Sequence, residues 1–278
     1  MPGAATKTAN PAALPTAGEA GARRRRLTPG PRLILPVVSL AVFLSLWEIV
    51  GRLTDPLLFA PPSRVIGAFA ELLGSGQLAT ATLTTLNTLA VGFGAAIVVG
   101  ILLGVVMGRT ALGELLSPYF YAIFATPRVV VVPIVIVWFG VGYSGRLFLI
   151  FLWSMIAIAS STADGVRNAR PDLVEVAKSF GASGPNLVRH VLLPGAVPFV
   201  LSGLRVGAER AVVGVIIAEM FLQLTGIGGL IRESATQFKT AETLAGVVTI
   251  AAIGTILIAV VDVAESRFFR WRTSSSTA

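Results

Sequence analysis

EVAKSFGASGPNLVRHVLLP, residues Glu175–Pro194, is the stretch whose reading decides the rest of the chain. It is the longest soluble-looking helical segment in an otherwise apolar sequence. Just before it, Pro171-Asp172 opens a helix that places carboxylates near the positive end of the helix dipole. Gly181 and then Gly184-Pro185 end that helix, and a second helical pattern from Asn186 to Leu193 is expected to stop at Pro194. Two short helices joined at a glycine make a compact projection carrying Leu173, Val174, Val176, Ala177 and Phe180. Phe180 needs a partner to cover it.

Outward from this stretch the chain has membrane composition. Of 278 residues 54% are hydrophobic and 13% charged, against about 25% charged in a soluble domain. The absence of cysteine excludes disulfides, thiolate metal sites and thiol nucleophiles, and a single histidine removes most metalloenzyme motifs. The net charge of +8 does not argue for nucleic acid, because the basic residues stand at the ends of apolar runs and act as topology signals.

Residues 1–31 lack apolar periodicity and read as a disordered tail. The run Arg23–Arg26 precedes an apolar stretch too long for a signal-peptide core and without a small-residue cleavage site, so it anchors an uncleaved first span, 33–50. A short helical pattern follows from Ser63, which is placed to cap it. The second span, 83–107, is uncharged and long enough to cross about 30 Å of hydrocarbon at about 1.5 Å per residue. On it Gly92, Ala96, Gly100, Gly104 and Gly108 recur at every fourth position, a face for close helix packing.

The third span, 115–141, is interrupted by Pro118, Pro127 and Pro133 and is expected to be broken. A turn at Gly140, Gly142, Ser144 and Gly145 leads to the fourth span, 147–163. The polar loop 164–198 separates it from the fifth, 203–221, on which Arg205 and Glu209 are spaced to pair. A polar connection from Leu222 to Glu242, the sixth span, 244–261, and a tail, 273–278, complete the chain around a membrane domain of 32–272. Six spans put both termini on one side. Lys7, Arg23–Arg26, Arg32, Arg109, Arg167, Arg170, Lys178, Arg189, Arg267, Arg270 and Arg272 fall there, against Arg52, Arg64, Arg146, Arg232 and Lys239 opposite. The asymmetry makes the terminus side, and the loop 164–198 with it, cytoplasmic.

The spacing of Glu175, Ala177, Gly181 and Pro194 resembles the EAA loop of permease subunits of bacterial ATP-binding-cassette importers. LPGAVPFVLSGLRVGAERAVVGVIIAEMF, PPSRVIGAF and VVPIVIVWFG are similar to the group that imports nitrate, alkanesulfonates and taurine. The resemblance runs from about Pro61 to Arg272, with Val176 replacing the first alanine of the motif. It implies an all-α membrane protein with the six-helix type I permease fold and a coupling-helix loop, in a bacterial inner membrane with cytoplasmic termini. It also implies a second permease copy, identical or paired, two cytoplasmic ATPases, and an extracytoplasmic solute-binding protein. Glu175, Ala177, Phe180, Gly181, Ala182 and Pro194 would form the ATPase-docking loop. The chain has no phosphate-binding loop of its own, so ATP and Mg would be bound by the partner, with no cofactor and no enzyme activity here.

For the solute, a small anion of the nitrate, sulfonate or taurine class is expected, with another small solute such as a vitamin precursor as the alternative. Arg128, between Pro127 and Pro133, is the sharpest pathway candidate, because a charge near mid-membrane must face protein or water. Pairing with Glu209 or Glu219 is its competing reading. Arg210 and Glu219 are weaker pathway candidates, and Glu219 also suits a structural role. A secondary transporter would share broken helices and buried charges, but no repeat relates the two halves. An intramembrane enzyme needs a nucleophile and base or metal ligands, and none stands out.

Overall fold

A computed structural model describes residues 29–222 and 224–268. The Arg23–Arg26 run, most of the tail 1–31, Arg270, Arg272 and the tail 273–278 lie outside the described residues. The chain divides into two compact units, Met1–Leu46 and Trp47–Ala278. The described part of the first is the beginning of α1 (Pro29–Leu53), an apolar helix with Pro36 inside it.

Among the described residues all regular structure in the second unit is helical. In order it contains the end of α1, α2 (Pro62–Gly74), α3 (Gln77–Arg109), α4 (Leu112–Ala125), α5 (Arg128–Phe139), α6 (Tyr143–Arg167), α7 (Pro171–Ser179) and α8 (Gly184–Leu187). A π-helical turn (Val188–Leu192) then leads into α9 (Leu193–Phe221), followed by α10 (Gly226–Thr236) and α11 (Thr240–Phe268). Among the described residues, five stretches are long and apolar enough to cross a membrane, and α4 with α5 adds a bent pair. They give five passages of an all-α membrane protein, or six where the bent pair counts as one span.

The core of the bundle is α6, held between α3 and α9. A Cβ on Gly92 would stand 2.9 Å from Ile150, on Gly100 2.9 Å from Ile158, on Gly104 2.5 Å from Thr162 and on Gly108 2.6 Å from Val166. Both numbers rise together, so α3 and α6 run parallel in register, and Ala96 between these glycines is fully buried. On the other side Gly203 meets Ser161, Gly207 meets Ile158 and Gly214 meets Ile150, so α9 runs antiparallel to α6. Helix–helix contact in lipid depends on such backbone approach, because lipid tails are as apolar as leucine. Helix α11 runs antiparallel to α9, with Arg205 bonded to Asp262 and Gly254 facing Val212. The ends of α3, α6 and α11 and the start of α9 therefore share one end of the bundle with α7.

Several local expectations are corrected. Ser63 does not cap α2: its hydroxyl donates to Glu48 Oε1 at 2.7 Å, while its backbone N–H donates to Glu48 Oε2 at 3.0 Å. The orphan amide of α2 is thus capped by a carboxylate from α1. Of three prolines in the third span, only Pro127 accompanies a break; Pro118 and Pro133 lie inside α4 and α5. Thr126, forced toward extended backbone by the proline after it, has ψ 128, and the helix axes bend by 103°. Ser144 and Gly145 belong to α6, and the connection after Leu222 contains α10.

Pro194 does not end a helix either. The stretch Gly184–Phe221 is one continuous 38-residue helical stretch, so residues 184–198 of the expected loop 164–198 are helical extension. Pro194 lies in the first turn of α9, directly after the π turn. The wider π turn accommodates the missing N–H and the proline ring without a break.

Candidate functional site

Helix α7 stands off the end of the bundle and has two unlike faces. Its start is set by Pro171 at the first helical position, where the missing N–H costs nothing. Arg170 Nε donates to Asp172 Oδ1 at 3.1 Å, and this guanidinium holds the Asp172 carboxyl below its ordinary value. The end is a Schellman motif: the Gly181 N–H donates to the Lys178 carbonyl and the Ala182 N–H to the Ala177 carbonyl, both at 2.9 Å. Gly181 sits at φ +79, a left-handed conformation that a side chain resists. Ala177 and Ala182, four positions before and one after that glycine, both pack into the cluster beneath.

That cluster joins Val174, Ala177 and Ala182 to Val166 at the end of α6, Leu187, Val188, Val191 and Leu192 around the π turn, and Ala196 on α9. This packing ties α7 to α6 and α9. The opposite face presents Leu173, Val176 and Phe180, and Phe180 is 89% exposed. Glu175, placed by its motif with the docking residues, is exposed and lines a cavity of about 750 Å³ between α7 and the ends of α3 and α6. His190 is exposed, with Nδ1 3.0 Å from the Asn186 carbonyl.

The expected pathway residues lie on α5 and α9. Arg128 begins α5 at the bend, half-buried, its guanidinium 5.9 Å from the Trp153 ring centroid in a cation–π contact. Arg210 is half-buried on α9. Glu219 is fully buried and is the centre of a hydrogen-bonded node. Thr85 Oγ1 lies 2.9 Å from both Glu219 oxygens and accepts the Ile227 N–H at 3.0 Å, while the Gly228 N–H donates to Glu219 Oε2 at 2.9 Å. A carboxylate from α9 and a hydroxyl from α3 thus cap the first amides of α10. Gly226 leaves the room, since a Cβ there would run into the Glu219 carboxylate.

Nor does Arg205 pair with Glu209. It reaches α11, with Nε 2.8 Å from Asp262 Oδ1 and Nη2 3.0 Å from Glu265 Oε2. The two acids on one helix outcompete a single acid on its own helix. Arg146, counted in the sequence only as a topology charge, is buried at the start of α6, donates to Thr225 Oγ1 at 2.7 Å and covers the Tyr143 ring at 5.5 Å. Among the described residues no His, Asp and Glu cluster could hold a metal ion.

A multi-pass helical bundle, packed through small residues and carrying a surface helix keyed into its central spans, is the architecture of a membrane transport subunit. The chain belongs to the family of binding-protein-dependent transport system inner membrane components, which it matches over residues 96–272; it is an ABC transporter permease. It is 32% identical to a putative aliphatic sulfonates transport permease protein of Escherichia coli over 238 residues, 85% of this chain and 90% of that one. It is 28% identical to the taurine transport system permease protein of the same organism over 248 residues, 86% and 90% of the two chains. The riboflavin transport system permease protein of Chloroflexus aurantiacus is 31% identical over 247 residues, 88% and 92%.

Proposed function

We propose that this permease forms the translocation pathway for a small anionic solute of the sulfonate, taurine or nitrate class, and that α7 is where a cytoplasmic ATPase grips it. The observation that carries the docking reading is the exposed Leu173–Val176–Phe180 face on a helix whose other contacts lead into α6 and α9. Two permease copies with two ATPases would be fed by an extracytoplasmic binding protein, and ATP with Mg would stay on the ATPases. The basic residues Arg109, Arg167, Arg170, Lys178, Arg189 and Arg267, gathered at the α7 end, support a cytoplasmic position for that end. In this reading Phe180 inserts into the ATPase, Gly181, Ala177 and Ala182 fix the turn, and Pro194 lets α9 start under the loop without a break.

The sulfonate and taurine permeases among its relatives support an anion, while the riboflavin permease supports the alternative of a vitamin-like solute. Arg128 and Arg210 are the candidate pathway cations. Because the chain has no cysteine, Phe180→Cys gives a single reactive thiol. Cross-linking of that thiol to the co-expressed ATPase, with solute-dependent ATP hydrolysis lost in Phe180→Asp, is the expected result. No cross-link together with full coupling in Phe180→Asp would reject α7 as the docking element.

A further inference from the structure

The cavity beneath α7 is walled by Arg109, Arg167 and Lys178 with Glu175 as the one carboxylate among its lining residues. The arginines are brought together by packing. Gly108 approaches Val166 so closely that a Cβ would stand 2.6 Å from it, and the next residue on each helix is an arginine. The Arg167 guanidinium lies against Gly113 at the α3–α4 turn. Neither arginine nor Lys178 has an ion-pair partner among the described residues. Three cations facing one carboxylate around about 750 Å³ repel one another unless an anion joins them.

We infer that this cavity binds a phosphate-bearing anion, and specifically the headgroup of an anionic phospholipid. The lipid source is favoured by position. Arg109 and Arg167 are the last residues of two apolar helices, at the level where hydrocarbon gives way to headgroups. Val166, Leu187 and Leu192 line the same cavity and offer apolar contact beside the charges. Basic pockets between membrane helices on the cytoplasmic side hold such headgroups, so the lipid assignment rests on the cytoplasmic placement of α7 proposed above. The headgroup would neutralise the arginines and brace α7 from the side opposite Phe180, making the docking helix responsive to the surrounding lipid.

The test is native mass spectrometry of the full chain, without ATPase, titrated with phosphatidylglycerol or phosphatidylethanolamine. Its outcome is therefore separate from the coupling assays. Retention of phosphatidylglycerol over phosphatidylethanolamine is expected, falling about fivefold for each arginine replaced in Arg109→Gln and Arg167→Gln. Lys178→Gln, on an exposed helix, gives the same direction of change should the arginine variants fail to insert. Equal retention of both lipids would overturn the proposal. So would a preference that survives all three substitutions but disappears when Arg23–Arg26 are replaced by glutamine. Displacement of the lipid by inorganic phosphate at low millimolar concentration would assign the cavity to a soluble anion and overturn the lipid assignment.

Discussion

Thr85 of α3 and Glu219 of α9 are joined through one hydroxyl, 2.9 Å from both carboxylate oxygens, although 134 residues separate them. The pair closes the bundle at the end opposite α7 and holds the N-terminus of α10. The Thr85 hydroxyl serves two partners, since it also accepts the Ile227 N–H.

Thr85→Val removes both bonds at nearly constant volume. It leaves a buried carboxylate with one donor fewer and an amide without an acceptor, at a cost of about 1–3 kcal/mol for each unsatisfied group. A lower unfolding temperature in detergent is expected, while Thr85→Ser stays near wild type. Equal melting of the valine and wild-type proteins would show that the node contributes no stability.

Gly104→Leu tests the α3–α6 seam. The glycine has no free space, since a Cβ would already stand 2.5 Å from Thr162 Cβ and 2.6 Å from the Ala159 carbonyl. A leucine must push two helix backbones apart, and overpacking of this kind costs about 1–3 kcal/mol or more. Reduced membrane accumulation is expected, whereas Gly94→Leu, where a Cβ meets nothing within 4 Å, is tolerated. Similar accumulation of both variants would contradict the seam.

Asp172 predicts how α7 responds to pH. Its carboxyl is held below the ordinary 3.8, first by the Arg170 hydrogen bond. A carboxyl depressed in the folded state contributes stability above its unfolded value and loses it as pH falls through the folded value. The contribution is therefore constant from neutral pH down toward 3.8 and fades only below it. A spectroscopic label on Phe180→Cys should report an unchanged α7 between pH 5 and pH 8. A transition in that window that vanishes in Asp172→Asn would show the carboxyl titrating where the Arg170 pairing forbids it.

The membrane fold was legible because an apolar run long enough to span needs no partner to identify it, and the α3 stripe because small residues at every fourth position leave one use for that face. Schellman geometry was partly legible in Gly181. Pro194 misled, since proline marks a helix end in the absence of a π turn, and that turn has no signature in VRHVL. Ser63 and Arg205 misled for a different reason. Local spacing offered each a neighbour, but tertiary packing brought Glu48 to the serine and Asp262 with Glu265 to the arginine. The ordering role expected of Glu219 was legible, but its partner Thr85, 134 residues away, was not.

Arg128 is the pathway candidate whose surroundings leave it free to act on a solute. Its guanidinium rests 5.9 Å from the buried Trp153 ring, and neither Glu209 nor Glu219, the partners that sequence offered, forms an ion pair with it among the described residues. The cation–π contact contributes about 0.5–2 kcal/mol depending on solvation, which orients the side chain without neutralising it. An anion passing the α4–α5 bend would find a positioned positive charge. Arg128→Ala should raise the solute concentration needed for half-maximal uptake about tenfold, the loss of about 1.4 kcal/mol of attraction, while Arg128→Lys recovers part of it. Membrane accumulation and ATPase cross-linking at Phe180→Cys should be unchanged in both. Unaltered uptake kinetics in Arg128→Ala would remove this residue from the pathway, and an equal loss for a neutral solute would reassign it to holding the bend.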